Sequence, residues 1–73
     1  MAGNVHVVPK DNGWAVEIEG GGGPLAHFEK QEDAIAEGTE RAQMYKVELL
    51  IHGRDGKIRE RNSFGNDPRN IKG

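Results

Sequence analysis

Two turn dipeptides do most to limit what this chain can fold into. Asn12-Gly13 and Asp55-Gly56 each stand between short runs of β-branched and apolar residues. Asn-Gly or Asp-Gly in that setting is the strongest short-range hairpin signal, because both residues accept the positive φ that tight turns require. Before the first dipeptide, Val5-His6-Val7-Val8-Pro9 is short and β-branched, and its closing proline suits an edge strand. After it, Trp14 to Glu19 alternates strictly. Trp14, Val16 and Ile18 share one face, and Ala15, Glu17 and Glu19 share the other, so one face is core and one is wet. Trp14 is thereby expected to anchor the core between sheet and helix.

Gly20 to Gly23 and Pro24 read as a loop, since unrestricted glycine is costly to hold in a strand. A glycine-rich loop can cradle phosphate, but this one lacks the Lys-Ser/Thr pair of a P-loop and joins two strands instead of opening a helix. A third strand is expected over Leu25 to Glu29, with Ala26 and Phe28 on one face. From Gln31 to Lys46 the period changes to that of a helix. Ala34, Ile35, Gly38, Ala42 and Tyr45 form one stripe, and Glu32, Asp33, Glu37, Glu40 and Gln43 occupy the rest. Acidic residues in the first turn and Lys46 in the last complement the helix dipole. Glycine inside a helix costs about 1 kcal/mol relative to alanine, so Gly38 on the buried stripe implies a close approach of helix to sheet.

A fourth strand is expected over Val47 to Arg54, and a fifth follows the Asp55-Gly56 turn through Lys57 to Arg61. In the fifth, Lys57, Arg59 and Arg61 fall on one face, with Ile58 and Glu60 opposite. The resulting expectation is an α+β fold of order βββαββ, a single antiparallel β-sheet with one α-helix packed on one face. The 73 residues are enough for one domain, with a folded core over about 5–65 and a flexible tail at 66–73. A chain this short buries only about 60 % of its unfolded surface, which leaves a thin stability margin. With no cysteine there is no disulfide to widen that margin, and a reducing, cytoplasmic setting is expected. No apolar run approaches the length of a membrane span, so no membrane partner is expected.

The run from Glu48 through His52-Gly53-Arg54-Asp55-Gly56 to Asn66-Asp67-Pro68 resembles the signature of a bacterial family, domain of unknown function 2188 (DUF2188). His6-Val7-Val8-Pro9, Gly13-Trp14-Ala15-Val16 and Ala34-Ile35 resemble the same family, so the likeness covers nearly the whole chain. It implies a small bacterial α+β protein and no particular activity.

The net charge of −2 conceals an asymmetry. Residues 1–51 carry four Lys/Arg against nine Asp/Glu, and residues 52–73 carry six against three. Arg54, Lys57, Arg59 and Arg61 are therefore the candidate contact residues for a nucleic acid or a partner. On a two-stranded ribbon they would fit a DNA major groove, and on a merely solvated hairpin they would only keep the chain soluble. Self-association is the other reading. One helix covers one face of a five-stranded sheet, leaving Ala15, Leu25, Leu50 and Phe64 for a second copy or a partner protein, by that face or by an unpaired strand edge. The histidines His6, His27 and His52 lie on three separate strands without His-x-His or His-x-x-x-His spacing, so no catalytic residue, metal or cofactor is expected. An interaction module, most simply a homodimer, is expected rather than an enzyme, with nucleic-acid binding as the alternative.

Overall fold

The computed structural model describes residues 3–65. The expected tail at 66–73 lies outside the described residues. The elements run β1 (Val5–Lys10), β2 (Gly13–Ile18), β3 (Pro24–Phe28), α1 (Gln31–Tyr45), β4 (Glu48–His52) and β5 (Ile58–Ser63), the βββαββ order read from the sequence. They form one five-stranded sheet in the order β3-β2-β1-β4-β5. No helix among the described residues is long and apolar enough to cross a membrane.

The sheet is mixed, which corrects the expectation of an antiparallel one. β1 pairs with β4 in parallel, through Val5↔Leu49, His6↔Leu50 and Val7↔Ile51. The connection between β3 and β4 explains this. Two hairpins leave β3 running in the direction of β1. The 15 residues of α1 span roughly 22 Å at 1.5 Å each, the length of a six-residue strand, and so return the chain to the end from which β3 began. The next strand must then run parallel to β1. The same topology makes β1 the central strand, not an edge. Pro9 is tolerated there because the parallel pairing ends at Val7. Lys10↔Gly13 closes a two-residue turn, so the Pro9 nitrogen points away from β2, toward a ladder that has already stopped.

The core lies between α1 and one sheet face. Val5, Val7, Trp14, Val16, Leu49 and Ile51 project from β1, β2 and β4 onto Ala34 and Ala42, and Ile18, Phe28, Ile35, Tyr45 and Phe64 pack around them. Trp14 is buried as its alternation implied. Gly38 sits where a Cβ would come within 2.9 Å of Leu49 Cδ1 and 3.0 Å of Val7 Cγ2, the close approach that its place on the stripe required. The helix ends one residue before Lys46, which caps it in the left-handed conformation at φ 59°. Phe64, expected on the open face, instead belongs to the core periphery, because β5 continues to Ser63 and the next side chain falls on the helix side.

Both turns differ from their sequence reading. The first consists of Asp11 and Asn12, with positive φ at Asp11 alone, and Gly13 already pairs within β2. Gly13 is required for a different reason: a Cβ there would collide with the Phe28 carbonyl oxygen and the His27 ring. The second turn has three residues. The Gly56 N–H donates to the Gly53 carbonyl at 2.9 Å, the Gly53 N–H donates to the Lys57 carbonyl at 2.8 Å, and Gly56 takes φ 86°. This is a type I turn followed by a glycine bulge, the usual three-residue hairpin.

Candidate functional site

The four cations named from the sequence do not share a face. The register between β4 and β5 shifts between Ile51 and His52: Ile51 faces Glu60 while His52 faces Ile58, leaving Arg59 as the extra residue of a bulge. Directly paired residues of an antiparallel ladder lie on one face. Arg61 therefore follows Leu50 onto the open side, away from α1, whereas Arg59 lines a depression with Trp14, Gln31, Gly53 and Arg54 on the helix side. Arg54 folds back so that its guanidinium lies 4.8 Å from the centre of the Trp14 ring. It also donates to the Gly13 and Asn12 carbonyls at 3.4 and 3.5 Å. Its charge thus closes the end of the core and ties the β4–β5 turn to the β1–β2 turn. Arg61 lies 4.0 Å from Glu48, and Lys57 is exposed beside the turn. A bulge changes the facing of every residue before it, and strict alternation along the residue string carries no sign of one.

The open face brings together residues that the sequence left apart. His6 on β1 and His52 on β4, 46 positions distant, approach to 2.9 Å between His6 Nδ1 and His52 Nε2. Their rings are 5.2 Å apart between centroids and tilted by 32°. The outer nitrogens are both engaged. His6 Nε2 lies 2.7 Å from the Glu19 carboxylate, and His52 Nδ1 lies 3.0 Å from the Gly56 carbonyl oxygen. Neither partner oxygen can donate, so each outer nitrogen carries a hydrogen, which fixes the tautomers. The hydrogen bond from His6 holds the Glu19 carboxyl below its ordinary value. His27, on β3, stands apart and meets the Lys10 carbonyl at 3.1 Å.

Local structure sets these positions. His6 and Leu50 are register partners across the parallel pair, so His52 sits one pleat further along the same face. Asn4 accepts the Glu19 N–H at 3.0 Å through its carbonyl and the Glu48 N–H at 3.1 Å through its side chain, fixing the end of β2 beside β4. The array borders an open depression of about 360 Å³, walled by Glu17 and the Gly20–Gly23 loop. In that loop Gly20, Gly22 and Gly23 take φ of 73°, 87° and 147°, which side chains rarely adopt. Among the described residues, no group of three or more His, Asp or Glu is arranged to hold a metal.

One helix on one face of a mixed five-stranded sheet, with a polar histidine array on the bare face, defines a small α+β domain. The signature of a bacterial family described as "Uncharacterized protein conserved in bacteria (DUF2188)" matches residues 5–64. The chain belongs to this family. No curated protein and no solved structure matches it.

Proposed function

We propose that this protein is a non-enzymatic binding module that self-associates through the open face of its sheet. The observation that carries this reading is the distribution of side chains on that face. Val8 lies half-buried at its centre and Ile58, 56 % exposed, extends the apolar patch toward β5, while Ala15 and Leu50, on the same face, are already buried within their own chain. Glu17 and Glu19 flank the centre on the β2 side and Arg61 on the β5 side. A second copy laid face to face, with the twofold axis along the strands, sets each acidic side over the other copy's basic side and the apolar centre over itself.

Five strands about 4.8 Å apart and six residues long make a face of roughly 24 by 20 Å, or about 500 Å² per chain. That is below the roughly 800 Å² per partner of a standard stable interface. A dimer of this size belongs with weak, reversible contacts. It extends a core that is small for an independent domain.

Sedimentation velocity over a concentration series tests the reading. The wild-type chain moves from monomer toward dimer as concentration rises, and Val8→Glu, which buries a carboxylate in the centre of the interface, stays monomeric with an unchanged circular dichroism spectrum. A wild-type chain that remains monomeric at millimolar concentration overturns it.

A further inference from the structure

We propose that His6 and His52 form a binding site for one divalent transition-metal ion of the borderline class, such as Zn²⁺, Ni²⁺ or Cu²⁺, seated between Nδ1 of His6 and Nε2 of His52. The argument starts from the outer nitrogens. Each is hydrogen-bonded to an oxygen that only accepts, the Glu19 carboxylate for His6 and the Gly56 carbonyl for His52. With a hydrogen on each outer nitrogen, the inner nitrogen of each neutral ring is a bare lone pair. The two inner nitrogens lie 2.9 Å apart, so one cation must join them: a single proton shared as N–H···N, or a metal ion that displaces it and toward which both rings turn.

The spacing fits a metal. Two nitrogens about 2.0 to 2.1 Å from one ion, at a right angle, are roughly 2.9 Å apart, and a tetrahedral angle opens them to roughly 3.4 Å, within reach of a small ring rotation. The surroundings fit as well. A metal-binding imidazole almost always gives its other N–H to a carboxylate or a backbone carbonyl, which orients the ring and raises its basicity. Here both rings do so, one with each kind of partner. Imidazole donors favour zinc, copper and nickel over magnesium or calcium, which take oxygen.

The charges facing the pair favour a cation. Glu17 is the register partner of His6 on β2, Glu19 bonds to it, and Glu48 lies on the same face of β4. Arg61 on β5 lies beside Glu48, and His27 on β3 is turned to the Lys10 carbonyl. The protein supplies two ligands, and the depression walled by Glu17 and the glycine loop leaves room for water at the remaining positions. Both ligands come from one chain and lie on the face that the proposed dimer covers, so the titration is run at a concentration where the chain is monomeric. Protons compete for the same lone pairs, and binding weakens as pH falls.

The test is titration of the untagged full chain with ZnCl₂ at neutral pH, followed through the imidazole ¹⁵N resonances. Saturable shifts are expected at His6 Nδ1 and His52 Nε2, with His27 unmoved. His6→Ala and His52→Ala each weaken binding at least tenfold, and His27→Ala leaves it unchanged. Glu19→Ala, at a side chain 49 % exposed, tests the orienting role without threatening the fold and weakens binding by about tenfold. The proposal is overturned if no saturable shift occurs at His6 and His52 up to millimolar Zn²⁺. It also fails if the shifts centre on His27, or if the two alanine variants, folded by circular dichroism, bind as the wild type does.

Discussion

Replacing Gly38 with alanine tests how closely α1 is seated on the sheet. Two effects of opposite sign meet at this position. A helix-interior glycine costs about 1 kcal/mol relative to alanine, so on propensity alone the substitution stabilises the fold by that amount. The new methyl, however, lies 2.9 Å from Leu49 Cδ1, 3.0 Å from Val7 Cγ2 and 3.7 Å from Val5 Cγ1. Carbon atoms rest at about 3.5 to 4.0 Å, so two of the three contacts are too short by half an ångström or more. Leu49, Val7 and Val5 are all fully buried, and the valines are stiff about χ1. The helix must therefore lift from the strands, and overpacking of this kind costs about 1 to 3 kcal/mol. The net expectation is a loss of about 1 kcal/mol. Urea denaturation reads it directly: at a slope near 1 kcal/mol per molar, the midpoint falls by about 1 M with the slope unchanged. Ala36→Gly, on the exposed face of the same helix, isolates propensity and costs about 1 kcal/mol. A Gly38→Ala chain that melts at higher urea than the wild type would refute the close-packing argument.

Trp14→Ala removes the largest core side chain and the ring beneath Arg54, and a truncation of this kind costs about 3 to 5 kcal/mol, close to the whole stability of a domain this size. Thermal melting within a few degrees of wild type would show that Trp14 is not an anchor. Glu19 carries a carboxyl lowered by its hydrogen bond from His6. Its contribution to stability is therefore present above the unfolded value and is lost as pH falls through the folded one. Glu19→Gln should flatten the stability profile in that acid range and leave it little altered at neutral pH; an identical acid limb in both chains argues against the contact. In gel-shift assays from about 20 to 200 mM salt, where a multi-phosphate contact would vanish, no retardation of duplex or single-stranded DNA is expected. A salt-sensitive shift that is lost in the Arg59→Glu, Arg61→Glu double variant would establish the nucleic-acid reading instead.

The element order and the inward face of β2 were legible because each depends on local period: alternation around Trp14, Val16 and Ile18, and a helical stripe through Ala34, Gly38 and Ala42. Parallel pairing was implicit in the same string. A helix between β3 and β4 carries the chain back to where β3 began, so β4 had to run with β1, whereas the two turn dipeptides speak only for antiparallel pairing. The bulge at Arg59 left no trace, because Lys57, Arg59 and Arg61 alternate as well in a bulged strand as in a regular one. The arrangement at Arg54 was equally hidden, since an arginine at a turn gives no sign that it will fold back over a tryptophan 40 residues earlier in the chain. The approach of His6 to His52 depends on the β1–β4 register. Three histidines on three strands were the only signal, and without the parallel pairing nothing selected which two would meet.

In the proposed dimer, two copies meet through the bare sheet face. An isotope-filtered NOE experiment on an equimolar mixture of labelled and unlabelled chains, at a concentration where sedimentation shows dimer, reads that contact without any substitution. Intermolecular NOEs are expected to the methyl groups of Val8 and Ile58, and none to Met44 or Ala36 on the outer surface of α1. Intermolecular NOEs confined to the helix surface, or to the backbone amides of the β3 or β5 edge, would contradict it.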